Sequence, residues 1–102
     1  MPRFDIYKNP NPKASHAFYL DIQSDLVTTA TRWCIPLRTA KPGQSMVNRA
    51  QVLVSVQGIS CLLDAPNLLA VPNVLLRSPV DRLDTAAQVL AEAAVEFMLR
   101  VY

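Results

Sequence analysis

The chain has 102 residues and a formal charge of +2, with 51% hydrophobic and 18% charged residues. That length fits one domain with a real but modest core, and so small a charge does not by itself argue for nucleic-acid binding. No apolar run approaches the ~20 residues of a membrane span, and Met1-Pro2-Arg3-Phe4-Asp5 lacks the apolar core of a secretory signal, so no membrane partner is expected and the cytoplasm is the expected compartment.

The apolar balance is high for so small a chain. A two-fold dimer that hides further apolar surface accounts for it; an apolar monomer is the alternative. Charge is uneven: residues 1–51 hold seven Lys/Arg against three acids, and residues 52–102 hold three against five. The basic half either faces an acidic partner segment or is a solvated sheet surface. Cys34 and Cys61 sit singly in apolar strand patterns with no CxxC spacing, which reads as two buried thiols.

Residues 3–8 read as a first strand with Phe4 and Ile6 inward. Asn9-Pro10-Asn11-Pro12-Lys13 cannot continue a sheet, because proline lacks a donor and restricts its neighbours. His16 closes this loop, a lone histidine with no assigned chemistry. In the second strand, residues 17–23, Phe18, Leu20 and Ile22 alternate with Tyr19, Asp21 and Gln23, the period of one buried and one wet face. Ser24 and Asp25 stop the alternation and deliver Leu26 and Val27 to a loop tip, which suggests a contact surface. Residues 28–31 form a polar connection.

Arg32 to Arg38 reads as a third strand with Trp33, Ile35 and Leu37 on one face. Pro36 removes a ladder donor, so this strand needs an edge or a bulge there. Trp33 is either core or interface, and a half-exposed position suits its N–H. Residues 39–48 read as loop. In strand 50–57, Val52, Val54 and Val56 alternate with Gln51, Leu53 and Ser55. Gln57-Gly58 is a turn signal that returns Ile59 to Asp64 as a hairpin partner. Ala65-Pro66-Asn67 opens a short irregular piece, Val71 to Leu76 reads as another strand, and Ser78-Pro79 closes it. The period then changes. Val89, Leu90, Ala93, Phe97, Met98 and Val101 recur at helical spacing opposite Gln88, Glu92 and Glu96. Asp84 or Thr85 caps this helix, Thr85-Ala86-Ala87-Gln88 fits a capping box, and it runs to about Leu99. The expected architecture is an antiparallel sheet with one C-terminal helix.

No catalytic constellation stands out: there is no GxSxG, no P-loop and no histidine pair. Asp21 and Asp25 share one side of a strand end, but nothing local perturbs them. Neither a metal nor a cofactor is expected, and a protein that works by binding is the better reading.

Leu20-Asp21-Ile22-Gln23-Ser24-Asp25-Leu26, followed by Ile35-Pro36-Leu37, resembles the CcdB family of toxins from bacterial toxin–antitoxin modules. Phe4-Asp5-Ile6-Tyr7, Leu68-Leu69-Ala70-Val71-Pro72 and Ala94-Val95-Glu96-Phe97-Met98 fit in order, so the resemblance spans nearly the whole chain. It implies a mainly β, SH3-like small β-barrel with a small β-wing and a C-terminal helix, a single toxin domain over residues 1–102. It also implies a homodimer that grips the A subunit of DNA gyrase and traps the cleaved DNA complex. A CcdA-like antitoxin neutralises such toxins, and the pair represses its own operon; DNA is reached only through that complex, and such modules serve plasmid maintenance.

Carried over residue by residue, the gyrase surface is Ser24, Leu26 and Val27 with Glu96, Leu99, Arg100, Val101 and Tyr102. The antitoxin surface is the loop of Asn9 and Asn11 with the flanking cations Lys8, Lys13, Lys41 and Arg49. The best-known members end in aromatic-Trp-Gly-Ile, whereas this chain ends Leu99-Arg100-Val101-Tyr102, with Arg100 in the Trp position. Two alternatives stay open. The barrel is similar to that of MazF-type endoribonuclease toxins, in which Arg32, Thr29 or Ser24 would be cast as site residues, and a weakened relic would bind antitoxin alone.

Overall fold

The structure, a computed structural model, describes residues 2–41 and 50–99. Short runs of alternating apolar residues form β1 (Asp5–Lys8), β2 (Phe18–Asp21), β3 (Thr31–Thr39), β4 (Gln51–Val56), β5 (Ile59–Asp64), β6 (Leu69–Pro72) and β7 (Pro79–Arg82), before helix α1 (Thr85–Leu99). All neighbouring strands run antiparallel in one seven-stranded sheet of order β4-β5-β3-β2-β1-β7, with β6 also on β3. The sheet curls into a half-barrel, the fold class expected from the sequence.

β3 is the organising strand because it has three partners. One side pairs β2 from Cys34 to Leu37; the other pairs β6 up to Cys34 and β5 from Leu37 onward. The carbonyls of Trp33 and Leu37 accept from β2's side. Backbone groups alternate sides along a strand, so the nitrogen of Pro36 points the other way. There it meets the gap between β6 and β5, where no ladder donor is needed.

The expectation of one wet face on β2 is corrected. All four of its residues are buried. Phe18 and Leu20 enter the main core with Ile6, Ile35, Leu37 and the valines of β4. Tyr19 packs on the reverse face with Tyr7, Cys34, Val71 and Leu76. β6 and the 73–76 turn fold over that reverse face, which is why polar Tyr and Asp positions are buried there. The reading of strand 71–76 also shifts: the strand is Leu69–Pro72, a 3-10 turn at Asn73–Leu75 follows, and Pro79 opens β7 rather than closing a strand. Proline suits both places, at a strand end and on an edge strand.

Helix α1 begins at the Asp84 cap, whose Oδ1 accepts the Ala87 N–H at 2.8 Å. The capping-box reading is corrected, since Gln88 Nε2 instead donates to the Leu83 carbonyl at 2.8 Å. The buried face is built on alanines. Ala91 and Ala94 meet the core, with Ala87, Val95 and Met98 packed beside them. Val89, Leu90 and Phe97, part of the apolar stripe read from the sequence, are 62%, 47% and 40% exposed. The sheet's own side chains already fill the core, so the helix approaches on its alanines. Because apolar residues occupy two of its faces, period alone cannot say which is inward.

The β4–β5 hairpin turns on Gln57 (φ 51°) and Gly58 (φ 79°), the paired positive φ values of a type I′ turn. A Cβ on Gly58 would meet nothing within 4 Å, so space is not the constraint. Gly58→Ala is therefore expected to cost about 1–2 kcal/mol through backbone strain alone. Urea denaturation checks this; a neutral substitution would contradict the turn geometry.

Candidate functional site

β2 ends on a carboxylate and β3 opens on a cation, and the sheet register brings them together. Arg32 donates from Nε to Asp21 Oδ2 at 2.8 Å and from Nη2 to Asp21 Oδ1 at 3.0 Å. Both side chains are almost wholly buried, at 6% and 0% exposure. The same Nη2 reaches the Gln23 carbonyl at 3.0 Å and lies 3.5 Å from Asp25. Burial pushes the Asp21 carboxyl up, against the opposing pull of Arg32 and the Gln23 N–H. Burial also disfavours the charge on Arg32, but the bonds and charges of Asp21 and Asp25 together outweigh it and hold its pKa above the ordinary value.

This pair anchors the loop that follows. Gln23 donates its N–H to Asp21 Oδ1 at 3.0 Å, and its Oε1 accepts the Trp33 N–H at 3.0 Å. Its Nε2 donates to the Val27 carbonyl at 2.9 Å and to Thr29 Oγ1 at 3.1 Å. Ser24 accepts the Leu26 N–H on its hydroxyl and the Val27 N–H on its carbonyl. With backbone and polar side chains so occupied, Leu26 stands 95% exposed and Val27 47%. Two neighbouring aliphatic side chains thus face water at the tip of a loop whose polar groups are bonded internally.

Arg3, which the sequence reading passed over, ties this loop to the helix. Its N–H donates to Asp25 Oδ1 at 2.9 Å and its Nε to the Ile22 carbonyl at 2.8 Å. Its Nη1 reaches Glu92 at 3.2 Å, and the guanidinium lies 4.5 Å from the centre of the Phe4 ring. The exposed ion pair contributes little energy; its consequence is positional. At 3.6 residues per turn, Glu92, Glu96 and Leu99 share one flank of α1 and Leu90, Ala93 and Phe97 the other, with Val89 on the outer face between them. Ser24, Leu26 and Val27 are thus joined to the flank of Glu96 and Leu99, with Leu99 64% exposed. Arg100, Val101 and Tyr102 lie outside the described residues.

The second candidate surface divides. Asn9 is buried, its Nδ2 donating to the His16 carbonyl and its Oδ1 accepting the Asn11 N–H, so it closes the loop. Asn11 Oδ1 accepts the Lys13 N–H, and both residues are exposed. Lys8 lines a groove with Arg77, whereas Lys41 lies in a different hollow with Ser15 and Arg38. Arg49 lies outside the described residues. His16 packs edge-on against Tyr19, and burial holds its pKa below the ordinary value.

A hollow of about 340 Å³ opens beside the braced loop, lined by Asp25, Thr28, Thr29, Arg32 and Asn73. Its cation is Arg32, already bonded to Asp21 and the Gln23 carbonyl. Burial pushes the nearby Cys34 thiol up to about 12, which leaves it protonated and inert at neutral pH. Among the described residues no group of three or more His, Cys, Asp or Glu could hold a metal ion, and no helix is long and apolar enough to cross a membrane.

The described residues thus form a curled antiparallel half-barrel with a packed C-terminal helix and a protruding, internally braced loop. The family model for the CcdB protein matches residues 3–100, and the chain belongs to the CcdB family. No curated protein matches it in sequence. Among solved structures, it is similar to an endoribonuclease in complex with its cognate antitoxin from a mycobacterial species, at 14% identity and a TM-score of 0.79, covering 97% of this chain and 95% of that one. A second endoribonuclease from a mycobacterial species matches at 15% identity and a TM-score of 0.76, covering 97% and 90%. At such identities the likeness shows the fold alone.

Arg32→Met would leave the Asp21 carboxylate buried and unpaired, which typically costs about 3–5 kcal/mol. The double variant Asp21→Asn/Arg32→Met is expected to recover most of that loss, because no charge is then stranded. Urea melts of wild type, single and double variants check this. Equal stability of wild type and Arg32→Met would show that the pair does not brace the loop.

Proposed function

We propose that this chain is the toxin of a toxin–antitoxin module and acts by binding, as a two-fold dimer that grips the A subunit of DNA gyrase and holds the cleaved DNA complex. The observation that carries the reading is the Arg3 junction, through which the exposed Leu26 loop and the Glu96–Leu99 flank of α1 form neighbouring parts of one surface. Family membership supports the module, and a CcdA-like antitoxin is the partner that would neutralise it. In this reading Arg100, Val101 and Tyr102 extend the same grip, with Tyr102 supplying the aromatic face that the family's Trp supplies elsewhere. Repression of the operon belongs to the toxin–antitoxin complex, and cytoplasmic gyrase sets the compartment.

The opposite flank of α1 supports the dimer. Leu90 and Phe97 on that flank, with Val89 beside them, stay 47%, 40% and 62% exposed, and an isologous contact that covers them twice is the commonest solution.

A second reading, a MazF-type endoribonuclease, draws on the fold likeness and on the hollow containing Thr29 and Arg32. It is disfavoured because Arg32, its natural phosphate-binding cation, is already bonded on two nitrogens to Asp21. A guanidinium so neutralised has little charge left for a transition state.

Light scattering at micromolar concentration should report about twice the chain mass of 11.3 kDa, and Leu90→Asp should shift it toward the monomer; a monomeric wild type contradicts the dimer. In cells with wild-type gyrase, expression of the chain should arrest growth and produce gyrase-linked DNA breaks. Leu26→Asp should relieve the arrest while leaving the fold intact, as loss of a hot spot of ~2 kcal/mol or more would do. Arrest that persists in Leu26→Asp, or arrest accompanied by RNA cleavage without DNA breaks, would overturn the gyrase reading.

A further inference from the structure

The hollow beside the braced loop, about 340 Å³ and lined by Pro2, Asp25, Thr28, Thr29, Arg32 and Asn73, is of ligand-binding size. Its groups divide by what they still have to offer. Arg32 is committed to Asp21 and the Gln23 carbonyl. Thr29 Oγ1 accepts from Gln23 and donates to the Thr31 carbonyl. Acceptors remain. Asn73 donates its N–H to the Ala30 carbonyl at 3.0 Å and its Nδ2 to the Thr29 carbonyl at 2.7 Å. A carbonyl only accepts, so the second bond fixes which way the amide points. It leaves Asn73 Oδ1 buried without a hydrogen-bond partner, a state that buried polar groups seldom keep. Asp25 makes its contacts among the described residues through Oδ1, and its side chain is 58% exposed. Thr28 is exposed and takes part in no hydrogen bond among the described residues. The ion pairs around the hollow tie two guanidiniums, Arg3 and Arg32, to three carboxylates, Asp21, Asp25 and Glu92, so the local surplus of charge is negative.

We infer that this hollow takes a cationic side chain of the partner protein, a guanidinium or ammonium group that donates to Asp25 Oδ2, Asn73 Oδ1 and the Thr28 hydroxyl. The open acceptors and the negative surplus set the sign of the occupant. An anion would meet the Asp25 carboxylate while the guanidinium of Arg32 is already committed. A bare metal ion would find a single carboxylate in the lining, too few ligands for a protein-built site. A protein side chain fits because Asp25, Thr28 and Thr29 belong to the loop whose tip is Leu26, 95% exposed, so a surface seated on Leu26 lies beside the hollow. Interfaces of that kind use a buried cation next to an apolar anchor for specificity as well as affinity. The loop is braced before any partner arrives, so the acceptors need little ordering on binding. The identity of the partner rests on the gyrase reading; the cationic occupant rests on the hollow alone.

The test titrates the full chain, labelled for NMR, with N-acetyl-argininamide and N-acetyl-lysinamide. Neutral N-acetyl-norleucinamide and acidic N-acetyl-glutamate are the controls. At least one of the two cations should shift Asp25, Thr28, Thr29 and the Asn73 side-chain amide, the controls should not, and the effect should weaken as salt rises. Thr28→Lys, which places a rival ammonium at the hollow, should abolish those shifts, and Thr28→Asp should tighten cation binding by about threefold. Thr28 is exposed, and an unchanged spectrum elsewhere shows that the fold persists. No shifts, equal shifts with the norleucine control, shifts from glutamate alone, or the same affinity in both variants would each overturn the inference. Binding to the purified gyrase A subunit reads the partner separately, and Thr28→Lys should weaken it by about tenfold or more. A chain that binds the A subunit with a silent cation titration removes the hollow alone. Cation shifts in a chain that does not bind the A subunit remove the gyrase reading and leave the hollow as a cation site.

Discussion

The bidentate contact between Arg32 and Asp21 is the constraint on which the rest of the molecule depends. A carboxylate at the end of a central strand, with no exposure, is tolerated only because a guanidinium and the Gln23 N–H satisfy both its oxygens. The pair joins the end of β2 to the start of β3. It also fixes Gln23, whose amide holds both the Trp33 N–H and the Val27 carbonyl. Specificity of geometry, rather than raw stability, is the usual return on such a buried pair. Here the return is a loop stiff enough to hold a leucine in water.

From that loop the logic passes to the helix through residues at the start of the chain. Phe4 sits at φ 74°, an uncommon backbone for a bulky residue. It is held there by its N–H to the Asp21 carbonyl at 2.6 Å, by its carbonyl accepting the Leu83 N–H at 3.2 Å, and by its ring in the core. The strained position turns Arg3 outward between the loop and Glu92. The helix then carries three faces with separate work: alanines on the core, an acidic flank beside the loop, and an apolar stripe left uncovered. Backbone strain at one residue thus sets the relation between the two parts of the candidate surface.

Much of the scaffold was legible in the residues. Gln57-Gly58 announced its turn because only certain residues accept positive φ. Val52, Val54 and Val56 announced the inward side of β4, and the change of period after Leu83 announced α1. The family was legible in the run from Leu20 to Leu26 with Ile35-Pro36-Leu37, and the family match bears it out. What escaped was tertiary. Tyr19 and Asp21 look like a wet face until β6 and the 73–76 turn cover them. The helical apolar stripe of Val89 and Leu90 did not reveal that Ala91 and Ala94 are what packs on the core. Pro79 reads as a terminator, yet an edge strand tolerates it. Arg3 gave no local signal, since its role exists only once Asp25 and Glu92 are neighbours. Asn73 was hidden for the same reason: its bond to the Thr29 carbonyl, which closes the hollow, spans 44 residues of sequence.

The central claim is that the Leu26 loop and the adjacent flank of α1 together form the surface that engages gyrase. Hydrogen–deuterium exchange on the purified chain, with and without the purified gyrase A subunit, tests it most directly. The account predicts slowed exchange in residues 22–29 and in the second half of α1, with the 8–13 loop and the 74–78 segment unchanged. Exchange that is unaffected by the A subunit, or protection confined to the 8–13 and 74–78 segments, would contradict it.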